Sequence, residues 1–303
     1  MTGVGLCLPQ LGEHASLAAV RGFAERAEEL GYTSLWVQEH FMWPLELERG
    51  FGGTPDRPMP DPYKSVLAPT ELLAAVAAWT TAPRLGTSVL VAGYHWPVPL
   101  AQRLATLDLI SEGRLIVGLG IGWNAEEHAA AGTDITTRGR RVDDFVPALL
   151  ACWGDDPVSY DGPVFQIPES LVRPKPMQQP RPPIVSGMWS DVGQDRTSRL
   201  FDGWNPAGLP AAMVAEMVAA MNAKRPAGLD PLTVYLRLFA QHPGSSHVSE
   251  DPIGDMAAEA AVATAAGLDE VIIEVSYWEE VQSPDDWLEI PDRCLPVLEA
   301  ARS

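Results

Sequence analysis

Lysine is almost missing from this chain: Lys64, Lys175 and Lys224 are the whole set in 303 residues. Arginine brings the basic total to 21 against 40 acidic side chains, a formal charge of −19. A surface of that sign repels a nucleic-acid backbone, which removes DNA and RNA from the expected partners. An anionic small molecule stays admissible, because a few arginines or backbone N–H groups govern a single pocket against the net field. Cysteine is scarce too. Cys7, Cys152 and Cys294 are isolated, odd in number and at no metal-binding spacing, as is ordinary in a reducing compartment. No basic segment opens the chain and no run of about 18 apolar residues occurs, so the expectation is a cytoplasmic protein with no membrane partner.

The common phosphate-cradling motifs are also lacking. "SEGRLIVGLGIGWNAEE", residues 111–127, carries Gly118, Gly120 and Gly122, but in a Gly-x-Gly-x-x-Gly fingerprint the third glycine would come one residue later. No Lys-Ser/Thr pair follows, so a P-loop has no support.

What is present is alternation. Short apolar runs read as strands: "GVGLCLP", "SLWVQEHF", "RLGTSVLVAG", "RLIVGLG", "PIVSG", "DGWNP", "LTVYLRLFA" and "EVIIEVS". Between them lie stretches with helical spacing, such as "LAAVRGFAERAEELG" with Gly31 as its C-cap, and "VDDFVPALLACWG", whose Pro147 should disturb its ladder unless it falls in the first turn. "WLEIPDRCLPVLEA" reads as a last helix, and Val158 to Ile167 as a small hairpin. Eight strands alternating with about eight helices is the count of a closed (β/α)8 TIM barrel, here one domain over residues 1–303 with insertions after strands 2 and 4. The insertion after strand 2, "MWPLELERGFGGTPDRPMPDPYK", is about 20 residues long, which suits a lid or binding loop as well as an ordered surface segment. The three glycines then fall at the C-terminal end of strand 4, the face where such barrels keep their chemistry. They either let the backbone approach a flat ligand or make room for neighbouring barrel side chains.

The order of "GFAERAEELGYTSLWVQEHF", "RLGTSVLV", "PVPLAQRLATLDLISEGRLIVGLGIGWNAEE", "TRGRRVDDF" and "SRLFDGWNP" resembles the luciferase-like monooxygenase superfamily, and within it the branch of probable coenzyme F420-dependent oxidoreductases. The resemblance weakens over the last hundred residues or so. It implies an elongated barrel that binds F420, or alternatively FMN, at the C-terminal rim, and a homodimer. The implied activity is hydride transfer between deazaflavin and an apolar or planar organic substrate. The alternatives are an FMN-dependent monooxygenase using dioxygen and a non-catalytic flavin-binding barrel.

The same resemblance assigns residues. His40 is the catalytic candidate, next to the ring, with Glu39 either orienting it or satisfying a backbone N–H. Val89, Leu90, Val91 and Ala92 match a bulge that carries a non-proline cis peptide in the family. Gly120, Gly122, Trp123 and Asn124 match the fourth-strand rim, with Glu127 as a local polar anchor. Gly187, Met188, Trp189 and Ser190 match a phosphate-holding Gly-Gly-x-Ser, weakened by Met188 in place of glycine and by Asp191 and Asp195 unless Arg196 or Arg199 turns inward. Relatives have His and Lys where this chain has Trp96 and Gln102. Arg138 is expected in an ion pair with helix carboxylates, Arg141 on a solvated face, Asp202 in a structural role, and Trp204 at the barrel mouth. Met42 and Trp43 are candidates for an apolar substrate wall.

Overall fold

Each short apolar run forms a parallel strand, because a strand covered on both faces by other structure carries no polar alternation. The computed structural model describes residues 1–241 and 249–303. Strand β1 (Gly3–Cys7) pairs on one side with β2 (Ser34–Val37), which pairs with β3 (Arg84–Thr87); a two-residue strand, β4 (Leu90–Val91), continues the third strand. β5 (Leu115–Gly120) pairs with both β3 and β4. Beyond a two-stranded hairpin of β6 (Val158–Asp161) and β7 (Gln166–Ser170), the circle continues through β8 (Ile184–Ser186), β9 (Gly203–Trp204), β10 (Thr233–Phe239) and β11 (Glu270–Glu274). β11 pairs in turn with β10 and β1, which closes an eight-stranded parallel barrel.

The outer layer is α1 (Leu17–Leu30), α2 (Pro69–Trp79), α3 (Pro97–Ile110), α4 (Ala125–Ala130), α5 (Arg138–Trp153), α6 (Asp191–Leu200), α7 (Ala211–Ala223), α8 (Pro252–Ala265), α9 (Asp286–Arg293) and α10 (Leu295–Arg302). Helix α1 shows why these segments are helical. Ser16 caps its start, Ala19, Val20, Phe23, Ala24 and Ala27 form one buried face, and Gly31 ends it at φ +81°, where a side chain would be strained. Helix α5 carries Pro147 in its interior, beyond the first turn, so its ladder lacks one N–H donor; a buried face that includes Val142, Phe145, Val146 and Leu149 holds the helix through it. The expected last helix is two, α9 and α10, divided at Cys294, with Pro296 in the first turn of α10 where no N–H is needed. No helix among the described residues is long and apolar enough to cross a membrane.

The barrel interior is filled by Cys7, Trp36, Ile116, Val185, Tyr235 and Ile272. Gly86 leaves the space that the Trp36 ring occupies. Towards the N-terminal end, the Trp36 indole donates to Ser34 Oγ at 2.5 Å and the Ser34 hydroxyl donates to the Glu270 carboxylate. Burial pushes the Glu270 carboxyl up from its ordinary value. With that end packed, the strand C-termini and the long insertions define the open face.

Candidate active site

His40 stands three residues beyond β2, where the chain turns into the long insertion, and its side chain is 10% exposed. Its orienting partner is Glu127 of α4, not Glu39. Glu127 is completely buried; its Oε2 lies 2.8 Å from His40 Nδ1, and its Oε1 accepts the amide N–H groups of Phe41 at 2.8 Å and Met42 at 3.3 Å. The Tyr94 hydroxyl donates to the same carboxylate at 3.1 Å. Burial alone would raise the Glu127 carboxyl, but His40 and the two amides outweigh it and hold the group below the usual glutamate range. An ionised carboxylate only accepts, so Nδ1 carries the hydrogen and Nε2 is left as the nitrogen able to exchange a proton.

Glu39 serves the neighbouring strand. Its carboxylate accepts the Val91 N–H at 2.7 Å and contacts His95 Nε2 at 2.8 Å. It thereby ties the end of β2 to the Val89–Ala92 bulge, in which the Ser88–Val89 peptide is cis. Leu90 and Ala92 of that bulge are buried in the main core. A Cβ on Gly120 would stand 2.6 Å from Val89 Cγ2 and one on Gly187 2.9 Å from Val89 Cγ1, while one on Gly118 would collide with the Thr87 carbonyl. Of the two readings left open for the fourth-strand glycines, Gly118 and Gly120 therefore follow the second, making room for neighbouring barrel groups, and Gly187 likewise gives space to Val89. Gly122 is different, with φ +72° and Val91, Tyr94 and His128 close around it. His128 is a structural histidine, buried between Thr133 Oγ1 at 2.9 Å and the Ile121 carbonyl at 3.0 Å.

Beneath the bulge lies a buried polar network that sequence reasoning missed. Arg237 of β10 pairs with Glu274 of β11 and donates from Nη1 to the Ser88 carbonyl at 2.9 Å. The Ser88 hydroxyl donates to Asn205 at 2.6 Å, whose amide donates to the Tyr235 carbonyl at 2.6 Å. Burial opposes both charges, but each stabilises the other, so the Arg237 guanidinium is held well above and the Glu274 carboxyl below its ordinary value. One signal existed in the sequence: Arg237, the lone charge of β10, and Glu274, an acid at the C-terminal end of the apolar run that Glu270 opens in β11.

Above the bulge the insertion covers the mouth with aromatic rings. Tyr63 packs edge-on against His40 with centroids 4.3 Å apart, Phe51 against Trp123 at 5.1 Å, and Trp123 lies 5.7 Å from His40. The Tyr63 and Tyr277 hydroxyls lie in hydrogen-bond contact with each other and with Gln38 Oε1, at 2.8 and 3.1 Å; with one hydrogen each, one hydroxyl donates to Gln38 and the other to its tyrosine neighbour. Trp43 packs at the edge of this cluster. Donors here that are buried without a partner among the described residues include Trp43 Nε1, Asn124 Nδ2 and Arg237 Nε. The Asn124 carbonyl is already committed to the N–H of Glu127, capping α4.

The residues after β8 are spread out. Met188 is buried in the core, Trp189 is 68% exposed, and Ser190 caps α6 by accepting the Gly193 N–H at 3.2 Å. Arg196 is bound to Asp143 and Arg199 is exposed, so neither turns inward. Trp204 is fully buried, its indole donating to the Met188 carbonyl, and so lies in the core instead of at the mouth. Arg138 donates to the Ile135 carbonyl and has no carboxylate partner among the described residues; Arg141 is half-buried over Phe165 and Trp96. Trp96 itself is 62% exposed. Asp202 is structural as expected, bound to Arg181 and to the Ile184 N–H.

Residues 3–242 match the family described as luciferase-like monooxygenase. The chain belongs to that family. Among sequence relatives, an uncharacterized protein of Mycobacterium tuberculosis (strain ATCC 25618 / H37Rv) is 33% identical over 182 residues, 60% of this chain and 64% of the relative. An FMNH(2)-dependent dimethylsulfone monooxygenase of Pseudomonas putida is 27% identical over 222 residues, 72% of this chain and 56% of the relative. The luciferase-like chain thus spans less than two thirds of these relatives' length. Its fold is shared with monooxygenase RslO1 from Streptomyces bottropensis (TM-score 0.71, 21% identity, 97% and 99% of the two chains covered). It is shared also with an F420-dependent secondary alcohol dehydrogenase (TM-score 0.72, 15% identity, 100% and 99% covered).

Proposed function

We propose that this luciferase-like protein is an oxidoreductase that binds a flavin-type ring at the barrel mouth and acts on a small organic substrate, with reduced FMN as the cofactor and dioxygen as the co-substrate. The observation that carries the reading is two buried donors without a partner among the described residues, Asn124 Nδ2 and Arg237 Nε, the first on the helix start that presents Glu127 to His40 and the second beneath the Val89 bulge. Flavin rings offer carbonyl and ring-nitrogen acceptors that such donors suit. When bound, the ring supplies the redox chemistry. The chain's own part is to hold the ring against the bulge and to exclude water with Phe51, Tyr63 and Trp123. His40, kept in one tautomer by Glu127, manages a proton at Nε2.

FMN leads over F420 on charge. A long acidic tail needs cations at the rim, and Arg196 of α6 and Arg141 of α5 are engaged with Asp143 and with aromatic faces. The F420 reading is the second one, favoured by likeness to the F420-dependent alcohol dehydrogenase. In that case the bound deazaflavin would supply hydride chemistry, and no oxygen would be needed.

Titration of the purified apoprotein with FMN and with F420, each oxidised and reduced, separates the readings. Saturable binding of reduced FMN, followed by substrate-dependent oxygen uptake, is expected. Preference for F420 moves the assignment to hydride transfer. Binding of neither by folded protein overturns both and leaves a non-catalytic barrel.

A further inference from the structure

Tyr277 also lines a cavity of about 670 Å³, bounded by the loop after β1, the end of the long insertion, Gln241 after β10 and the segment after β11. Tyr277, Trp278 and Trp287 give it aromatic walls, and Leu11 adds an aliphatic one. Tyr277 is the shared wall with the candidate active site, because its hydroxyl binds Tyr63, and the Tyr63 ring packs on His40.

Two properties define what fits. The first is an unused donor. Trp287 is 3% exposed, and its indole N–H meets no acceptor among the described residues. An indole N–H donates only, so what it lacks is an oxygen or another acceptor. Leaving such a donor buried and unpaired is unfavourable, and a ligand acceptor removes that penalty. The second is charge. Lys64, the one lysine on the wall, is bound to Asp61 at 2.8 Å and lies over the Trp43 ring at 5.1 Å; His14 stands 3.8 Å from Glu13. Glu279 adds a further acid on the same wall. Among the described residues, a phosphate or carboxylate entering here meets no uncommitted cation side chain.

We propose that this cavity holds the body of a neutral, planar organic substrate that presents a carbonyl or ether oxygen to the indole N–H of Trp287, and that it rejects phosphorylated and carboxylated compounds. The proposal rests on the oxidoreductase reading only in calling the occupant a substrate; the binding preference stands on the cavity alone.

Isothermal titration calorimetry of the apoprotein with three probes of one size tests it: 2-acetonaphthone, 2-ethylnaphthalene and 2-naphthoate. The ketone is expected to bind saturably. The hydrocarbon, which lacks the acceptor, should bind about fivefold more weakly, the worth of one neutral hydrogen bond. The carboxylate should bind at least about tenfold more weakly than the ketone. In Trp287→Phe, shown to be folded by circular dichroism, ketone and hydrocarbon should bind alike, and Glu279→Lys should strengthen naphthoate binding. Absence of saturable ketone binding, equal binding of ketone and hydrocarbon to the wild type, or naphthoate binding as tight as the ketone overturns the proposal. The wild-type comparison keeps it testable even where Trp287→Phe does not fold. Running the FMN and F420 titrations on the same preparation separates the two readings. Ketone binding without cofactor binding upholds the cavity and fails the enzyme assignment, and the converse fails the cavity alone.

Discussion

Glu127 holds His40 across 87 residues of sequence, with Oε2 at 2.8 Å from Nδ1 while Oε1 takes two backbone amides at the start of the insertion. One carboxylate therefore fixes both the histidine's orientation and the direction in which the insertion leaves the barrel. Its position at the end of the first turn of α4 follows from the Asn124 cap, which accepts the Glu127 N–H at 3.0 Å.

Glu127→Gln tests that double role. The amide nitrogen of glutamine cannot accept the Phe41 and Met42 N–H groups, so one set of buried partners is left unmade, at a cost of about 1–3 kcal/mol in urea unfolding. The loss should depend on pH in a definite direction. Because the folded carboxyl lies below its ordinary value, its stabilisation is present above the unfolded value of about 4.3 and is lost as pH falls through the folded one. Wild type and variant should therefore converge in stability under acid. A constant difference down to strongly acidic pH means the carboxylate charge is not what stabilises the turn.

Arg237 and Glu274 make a second test, on the floor of the site. Both are nearly or wholly buried, so removing one partner leaves a charge in a poor medium. Arg237→Met should cost about 3–5 kcal/mol, and Arg237→Met with Glu274→Gln appreciably less than the sum of the two single changes. Additive losses in a double-mutant cycle would show that the two side chains act separately. The same variant loosens the Ser88 carbonyl, so reduced-flavin affinity should fall along with stability.

The barrel was legible from the sequence because its signal is simple: apolar runs such as "EVIIEVS" and "LTVYLRLFA" are short, separated by helical stretches, and repeated. The site was legible only in part. His40, the Val89 bulge and the glycine rim came from motif order. The partner of His40 did not, since Glu39 is adjacent in sequence, whereas Glu127 is adjacent in space and comes from α4, 87 residues further on. Tyr63 and Tyr277 were invisible for another reason. They come from an irregular insertion and from the segment after β11, and neither has a periodicity to read.

The glycine rim predicts a ranking. Alanine at Gly118 meets the Thr87 backbone, which cannot move without breaking β3, whereas alanine at Gly120 meets the Val89 side chain, and at Gly52 nothing lies within 4 Å. Thermal unfolding should therefore rank Gly118→Ala as most destabilising, by more than about 3 kcal/mol, then Gly120→Ala at about 1–3 kcal/mol, then Gly52→Ala, whose φ of +65° contributes a small backbone penalty. If Gly120→Ala is neutral for folding yet abolishes cofactor binding, the space above Gly120 belongs to the ligand and not to Val89.

Asp191 separates the two roles that a helix start can have. As a carboxylate in the first turn of α6 it favours the helix, since it meets the positive end of the dipole. For the same reason it opposes a cofactor phosphate at that end, and the nearby Arg196 is tied to Asp143 at 2.9 Å. Asp191→Asn should then lower thermal stability slightly while raising FMN affinity by about twofold, an electrostatic gain that salt erases. Riboflavin, which has the same ring and no phosphate, supplies the control. If the variant gains affinity for FMN alone, the phosphate sits at α6. If riboflavin gains as much, the substitution acts on the ring site through the protein. If neither changes, the cofactor tail leaves the barrel by another path and the Gly187–Ser190 stretch is only a cap.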